Sequence, residues 1–134
     1  MSNRVPAIRV LLLPKDTNAY GTIFGGVILS HIDLASAIEA RRIAPHHYVT
    51  KAMREVEFHE PVHLGDIVSF YTETVHVGRT SVTVRVLVEA ERWGAPSSAP
   101  RAADTPAERI KVTEAEVVFV AVNAEGQPVP IRPE

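Results

Sequence analysis

The residue with the clearest potential for chemistry is Asp33, a carboxylate within an otherwise apolar stretch. The segment Gly26 to Arg42 (GVILSHIDLASAIEARR) has no proline and no alternation, which predicts a helix. A helix that is apolar nearly all round is a buried one, and a buried Asp is costly unless it is paired. Asp33 is therefore a candidate for a catalytic role. The alternative is a structural Asp that hydrogen-bonds Ser30, Ser36 or neighbouring backbone.

The segment that precedes this helix is rich in glycine. Asn18, Gly21 and the pair Gly25-Gly26 precede it. A double glycine lets a ligand come close to unpaired N–H groups at a helix N-terminus, and such donors suit a developing oxyanion. A tight turn explains Gly25-Gly26 equally well, so both interpretations stay open.

Two histidine motifs could instead indicate a metal. His59 to His63 has the letters of the H-E-x-x-H zinc motif. That motif needs both histidines on one face of a helix, and Pro61 after a predicted strand argues against that helix. We expect no metal site, and we expect the pair His46-His47, which follows the helix, to be solvated.

Five segments with strand patterns accompany the helix. From Ser81 to Glu89, four valines alternate with Thr83, Arg85, Leu87 and Glu89, which is the period of a half-buried strand. Ile67 to His76 alternates likewise, and Gly78-Arg79 supplies a turn that joins the two strands in a hairpin. The remaining predicted strands are Val5 to Leu13, Tyr48 to Phe58 and Val112 to Val122.

The order of these elements predicts an α+β fold in one domain spanning residues 1–134, with the helix packed against an antiparallel sheet. Residues 92–108 are rich in Gly, Pro and Ser and predict a mobile loop, while residues 127–134 predict an extended tail. One helix covers a sheet face only in part, and Val117 to Val122 is apolar on both sides. The simplest second cover is another copy of the chain.

Composition excludes several classes of protein. The 134 residues carry 14 Lys and Arg against 16 Asp and Glu, a net charge of -2, so nucleic acid and anionic membranes are not expected partners. The absence of Cys excludes disulfides, cysteine-based zinc sites and thiol nucleophiles. No apolar run approaches the roughly 20 residues of a transmembrane helix, and no secretion signal is visible, so a cytoplasmic location is expected.

The stretch LPKDTNAYGTIFGG, with SHIDLA shortly after it, resembles the YciA-like acyl-CoA thioesterases of the hotdog fold. The resemblance runs in order from about Leu13 to Asn123, through the segments FHEPV, GD, VGRTS, VTEA and FVAV. It implies a long central helix wrapped by an antiparallel sheet, and hydrolysis of acyl-CoA to free acid and CoA. It also implies homo-oligomers built from dimers, with tetramers and hexamers possible. No cofactor is implied, because CoA is part of the substrate and the product.

The resemblance also implies roles for particular residues. Asp33 is similar to the family's catalytic carboxylate, which activates water or attacks the thioester carbonyl. Asn18 is similar to an Asn near the thioester, and Gly26 to a glycine whose N–H binds the carbonyl oxygen. Each site is expected to combine Asn18 of one protomer with Asp33 of another.

The resemblance also implies a role in CoA binding for one turn. Gly78, Arg79, Thr80 and Ser81 resemble the turn that contacts CoA, where Arg79 could pair with a phosphate. A plain hairpin with a solvated Arg is the alternative for this turn.

The chain departs from the family pattern at three places. Relatives of this type are often apolar at the position of Lys51, acidic at that of Arg54, and have two glycines at those of Ala35 and Ser36. These departures bear on acyl-chain preference and on part of the CoA contact, not on the fold. Two further functions belong to the same fold, an acyl hydratase or dehydratase and an acyl-CoA-sensing module. The first uses a His with a carboxylate in a motif that is not found here. The second has no need of a buried carboxylate beside the thioester, which favours the hydrolase.

Overall fold

One long helix and five strands make up the computed structural model, which describes residues 4–93 and 107–132. The strands are β1 (Ile8–Leu11), β2 (His47–Phe58), β3 (Ile67–Val77), β4 (Ser81–Arg92) and β5 (Glu108–Val122), and the helix is α1 (Gly25–Ile43). All strand pairs are antiparallel, in the order β1-β3-β4-β5-β2. The predicted α+β fold with a helix against an antiparallel sheet is confirmed.

The core lies between α1 and one face of the sheet. The alternating valines of β4, from Val82 to Val88, are fully buried, and so are Ile32 and Ala35 of the helix. Because successive side chains of a strand point to opposite faces, the period of two in the sequence places all four valines on the same side. Burying a valine stabilises the fold by roughly 1.5–3 kcal/mol relative to its exposure, so this face of β4 anchors the helix.

Several predicted boundaries are wrong, including the start of β5, which begins at Glu108 rather than Val112. The first strand covers only Ile8–Leu11 rather than Val5 to Leu13, because Pro6 has no N–H to pair with a neighbouring strand. The predicted loop 92–108 is shorter at both ends, since Arg92 and Glu108 are register partners of β4 and β5. Residues 94–106 of that predicted loop lie outside the described residues.

The helix is not buried all round within one chain. Leu34 is 55% exposed and Ile38 is 37% exposed, and both line a groove of about 400 Å³ together with Ile8, Arg41 and Tyr48. Strand β2 pairs only with β5 and forms one edge of the sheet. The open helix face and the open edge are surfaces that a second copy could cover. Within residues 4–93 and 107–132, no helix has the length and apolar character to cross a membrane.

A buried ion pair holds the start of β3 to the end of β4. Asp66 is only 3% exposed, and its carboxylate accepts hydrogen bonds from Arg92 Nε at 3.0 Å and Nη2 at 2.7 Å. The bond with Asp66 raises the pKa of the Arg92 guanidinium above its usual value. Asp66 also accepts the His63 N–H at 2.9 Å, so the turn before β3 depends on this charged carboxylate.

We predict that Arg92→Ala destabilises the protein by about 3 kcal/mol, because it leaves a buried carboxylate without its cation. Urea unfolding followed by circular dichroism measures the change. Arg9→Ala is the matched control, since it removes the exposed pair with Glu91 and should cost about 1 kcal/mol or less. Equal losses in the two variants would contradict a special role of the Asp66 pair, whereas partial recovery in Arg92→Ala with Asp66→Asn would support it.

Candidate active site

Asp33 lies about two turns inside α1 and is half-buried. Its Oδ1 accepts a hydrogen bond of 2.7 Å from the Thr50 hydroxyl on β2. No donor within residues 4–93 and 107–132 contacts the second oxygen, Oδ2. The expectation of a fully buried Asp is wrong for the single chain. Ser36 is not its partner either, since that hydroxyl donates to the Ile32 carbonyl at 2.8 Å.

The register of β2 explains why Thr50 faces Asp33. Thr50 is paired with Phe119 of β5, which is buried on the helix side of the sheet. Immediately after Thr50 the register shifts, so Lys51 is an extra residue in the strand. Sequence reasoning missed Thr50 because no motif marks it and because the bulge interrupts the alternation that would have shown its direction.

The N-terminus of α1 presents backbone donors between two aromatic side chains. The preceding residue, Phe24, supplies no side-chain cap, and Phe24 and Phe58 are both more than half exposed. A Cβ on Gly26 would lie 2.7 Å from the Phe24 ring, whereas one on Gly25 would meet Phe58 at an ordinary 3.6 Å. Glycine is thus required at position 26 for this ring position, and its N–H is the kind of donor that stabilises an oxyanion.

Asn18 organises the loop before the helix. Its Oδ1 accepts the Tyr20 N–H at 2.8 Å and the Thr22 N–H at 3.2 Å, and its Nδ2 donates to the Thr22 hydroxyl at 2.9 Å. A side-chain amide nitrogen carries two donors, and the described residues use only one of them. The other donor is available to a ligand or a neighbouring chain.

The same loop is anchored by Asp16. Its Oδ2 accepts the Leu13 N–H at 2.9 Å, and its backbone carbonyl accepts the Phe24 N–H at 2.9 Å. The bond from Leu13 and the neighbouring Lys15 hold the pKa of Asp16 below its usual value. The charged carboxylate therefore stabilises the loop that carries Asn18.

Asn18 and Asp33 belong to separate hydrogen-bond groups within the described residues of one chain. No hydrogen bond joins them, and they share no partner. His31, two residues before Asp33, also points away, because its Nδ1 bonds the Val27 carbonyl at 2.9 Å and its ring stacks on Phe70. Asp33 thus has no imidazole partner from His31, which argues against a His–carboxylate dyad of the hydratase kind.

The predicted CoA-contacting turn joins β3 to β4, and the expected hairpin is confirmed. The Gly78 N–H donates to the Ser81 carbonyl at 2.8 Å, and a Cβ on Gly78 would lie 2.8 Å from Ser81 Oγ. The carbonyls of Arg79 and Thr80 accept the N–H groups of Ile131 and Ala121. The turn is therefore fixed through its backbone, while the Arg79 side chain is exposed.

The two histidines of the H-E-x-x-H sequence do not lie on a helix, as that zinc motif requires. His59 directly follows β2 and His63 lies in a non-helical segment, as Pro61 predicts. Ligand atoms of Glu57, His59 and Glu114 do lie within 4.8 Å of one another. However, Glu114 already accepts from Lys111 at 2.7 Å and His59 at 3.0 Å, and these two partners lower the pKa of its carboxyl. The absence of a metal site stays a prediction.

The expectation of a solvated His46 is wrong. Its Nε2 lies 2.7 Å from the Ile131 carbonyl, and it is half-buried. The ring also packs edge-on against Tyr48 at 6.0 Å between centroids. Because a carbonyl only accepts, the Nε2 carries a proton, and His46 holds the C-terminal segment to the end of the helix.

Comparison with known proteins agrees with this architecture. Residues 20–93 match the Thioesterase superfamily. The chain is 38% identical over 121 residues to the acyl-CoA thioester hydrolase YciA of Escherichia coli, covering 90% of this chain and 86% of that protein. It superposes on a hexameric hotdog fold thioesterase of Campylobacter jejuni with a TM-score of 0.84 and 43% identity, covering 95% and 90% of the two chains. A hexameric broad specificity acyl-coenzyme A thioesterase gives a TM-score of 0.82 and 37% identity, with 100% and 85% covered.

The fold is thus that of the hotdog proteins, with α1 wrapped by one antiparallel sheet. The chain belongs to the thioesterase superfamily, and the resemblance to YciA-like enzymes that the sequence indicates is confirmed.

We predict that Thr50→Val lowers kcat roughly tenfold with little change in KM, because Asp33 loses the charge-assisted hydrogen bond that fixes its carboxylate. Steady-state release of free thiol from an acyl-CoA measures both constants. Thr50→Ser keeps the hydroxyl and should restore most of the activity. A Thr50→Val enzyme with wild-type kcat would show that this bond does not position Asp33.

Proposed function

We propose that this chain hydrolyses acyl-CoA thioesters to free acid and CoA, with Asp33 as the catalytic carboxylate. The observation that carries the proposal is the Asp33 carboxylate itself, which Thr50 holds at one oxygen at 2.7 Å and which no other described residue contacts at the second oxygen. It lies on the helix whose uncapped N-terminus begins at Gly25-Gly26. A carboxylate and backbone donors are the groups that thioester hydrolysis requires. Because Asp33 lies about two turns along the helix from those donors, the donors that serve it would come from the helix of a second copy.

Two routes fit this carboxylate. In the first, Asp33 takes a proton from water while the water oxygen attacks the thioester carbon. In the second, Asp33 attacks that carbon itself, and water then hydrolyses the resulting anhydride. In both routes a C–O bond forms, the C–S bond breaks, and the sulfur leaves as the CoA thiolate and is then protonated. Entry of ¹⁸O from labelled water into the Asp33 carboxylate over repeated turnovers, measured by mass spectrometry, would identify the second route, since the first route never breaks a C–O bond of Asp33.

The charge that develops on the carbonyl oxygen needs donors. The Gly26 N–H at the start of α1 is our candidate, because the helix N-terminus carries a partial positive charge and Gly26 leaves its N–H accessible. The second Nδ2 donor of Asn18 is the other candidate. The turn Gly78, Arg79, Thr80 and Ser81 would bind the CoA part of the substrate, with Arg79 on a phosphate.

We further propose that the active unit is a homo-oligomer. The relatives from Campylobacter jejuni and of broad specificity are hexameric, and in this chain β2 is an open edge beside the exposed Leu34 and Ile38 of α1. Pairing β2 with its copy would satisfy its free backbone groups and cover that helix face. Asn18 of one protomer would then complete the site of Asp33 in the other. Cytoplasmic localisation stays a prediction from the sequence.

Replacing Asp33 tests the catalytic assignment directly. We predict that Asp33→Asn keeps the fold and the oligomer but loses hydrolysis by roughly 10²–10⁴-fold, the usual cost of removing a positioned base. Free-thiol release across a panel of acyl-CoAs measures the rate, and size-exclusion chromatography checks the assembly. Glu39→Gln is the matched control on the same helix, because Glu39 only accepts from Thr72 and Thr74. Activity within about threefold of wild type in Asp33→Asn, well short of the expected loss, would refute the assignment.

The shared site is tested by complementation. Asn18→Ala and Asp33→Ala are each expected to be inactive, and mixing them under conditions that exchange subunits should restore activity. A mixed dimer holds one site with both native groups and one with neither, whereas a site within one chain would always lack a group. Native mass spectrometry confirms the exchange. If exchange occurs between two inactive variants and activity does not return, the shared site is refuted and Asn18 and Asp33 act within one protomer.

A further inference from the structure

An apolar groove follows the exposed side of α1, and we call it the α1 groove. It has a volume of about 400 Å³ and is lined by Ile8, Leu34, Ala37, Ile38, Arg41 and Tyr48. Its volume lies in the usual range of small-molecule sites, which are mostly apolar with a few polar groups. The lining contains a single cation, Arg41, and no acidic residue. The groove therefore has the character of a site for an apolar chain with a negatively charged end.

The α1 groove begins beside Asp33. Residues four positions apart lie on the same side of a helix, so Asp33, Ala37 and Arg41 follow one line along α1. Strand β2 runs along this side as well. Its Thr50 donates to Asp33 at 2.7 Å, and Tyr48, two residues earlier on the same face of the strand, lines the groove. Both elements thus lead from the carboxylate into the groove, and the small side chain of Ala37 leaves space at its entrance.

Arg41 lies at the far end of the α1 groove. It is about two turns beyond Asp33, which is roughly 12 Å along the helix axis. Within residues 4–93 and 107–132, its guanidinium has no hydrogen-bond or ion-pair partner. The nearby Tyr48 hydroxyl is already used, since it donates to the Ala44 carbonyl at 2.8 Å. The charged donors of the lining therefore all belong to Arg41, and a guanidinium binds a carboxylate through two parallel hydrogen bonds.

We propose that Arg41 is a specificity-determining residue that favours acyl groups ending in a carboxylate, with the acyl chain lying in the α1 groove. The inference rests on the proposed function, because it takes the thioester to react at Asp33. Helical side chains lean toward the N-terminus, so the guanidinium reaches back along the groove. With C–C bonds of about 1.5 Å, an extended chain of about eight carbons brings its terminal carboxylate to Arg41, whereas one of about four carbons ends roughly one turn from Asp33.

The proposed second copy over Leu34 and Ile38 would enclose this chain. Enclosure excludes water, and an ion pair is stronger in a medium of low dielectric constant. Side chains of that copy could fill the same space instead, and substitution of Ala37 distinguishes the two occupants. Arg41 touches no reacting atom, so it acts on substrate affinity and not on the chemical step.

The test compares Arg41→Gln with wild type on four substrates in two pairs of equal chain length. These are octanoyl-CoA and octanedioyl-CoA, which ends in a carboxylate, and butanoyl-CoA and butanedioyl-CoA. We expect KM for octanedioyl-CoA to rise roughly tenfold with kcat unchanged, as for loss of one charge-assisted hydrogen-bonded pair made equally in ground and transition states. KM for octanoyl-CoA and for both four-carbon substrates should not change. Arg41→Lys should retain part of the affinity for octanedioyl-CoA, because it keeps the charge.

Arg42→Gln is the matched control. Arg42 is the neighbouring exposed arginine of α1 and does not line the α1 groove, so its substitution should leave all four KM values unchanged. An unaltered KM for octanedioyl-CoA in Arg41→Gln, or an equal rise for octanoyl-CoA, would overturn the proposal.

The occupant of the groove is tested by Ala37→Leu, which fills the entrance one turn from Asp33. KM should rise for both eight-carbon substrates and much less for the four-carbon pair. Unchanged KM values for the eight-carbon pair, in a variant whose assembly is intact by size-exclusion chromatography, would show that the acyl chain lies elsewhere and would also overturn the proposal.

Calorimetric titration separates these failures from failure of the proposed function. If wild type hydrolyses none of the four thioesters, the proposed function fails, and the intact substrates can then be titrated directly. Weaker binding of octanedioyl-CoA to Arg41→Gln than to wild type, with equal binding of octanoyl-CoA, would still support the role of Arg41. Equal binding of octanedioyl-CoA to the two proteins would refute it.

Discussion

The packing of α1 against the valine face of β4 is the constraint on which the rest of the structure depends. This packing buries Ile28, Ile32 and Ala35 of the helix together with the valines of β4. Once the helix is fixed there, its rotation is fixed as well. Asp33 then turns toward Thr50 of β2, and Leu34 and Ile38 turn away from the sheet. The carboxylate and the open apolar surface are thus both consequences of one packing face.

The sequence permitted prediction of the elements whose patterns come from local packing. The alternation in β4, the glycine turn of the hairpin and the proline-free helix all follow from periods that one strand or one helix sets by itself. The family motifs then implied the candidate residues Asp33, Asn18 and Gly26. These positions required no knowledge of distant contacts, and the observed elements carry them as expected.

Features that depend on partners distant in sequence could not be predicted in this way. Thr50 meets Asp33 because it is paired with Phe119 of β5, on the helix side of the sheet. His46 is bonded to Ile131, 85 positions away, and a chain read locally shows only two adjacent histidines after a helix. The exposure of Asp33 in one chain is likewise invisible in an apolar helix pattern, because the pattern does not say whether the same chain or another covers each face.

The irregularities of β2 have a consequence for how this chain can change over evolutionary time. The strand shifts register twice relative to β5, between Thr50 and Ala52 and between Arg54 and Glu57, where Glu55 takes a φ of +54°. Each extra residue reverses the even–odd order of the side chains along the sequence without changing the pairs that follow it, so Thr50 and Phe58 both lie on the helix side. Loss of the codon for one extra residue would remove its bulge and leave the pairs on either side facing as before. Single-residue insertions and deletions should therefore be tolerated at these two places in related lineages, and not elsewhere in the strand.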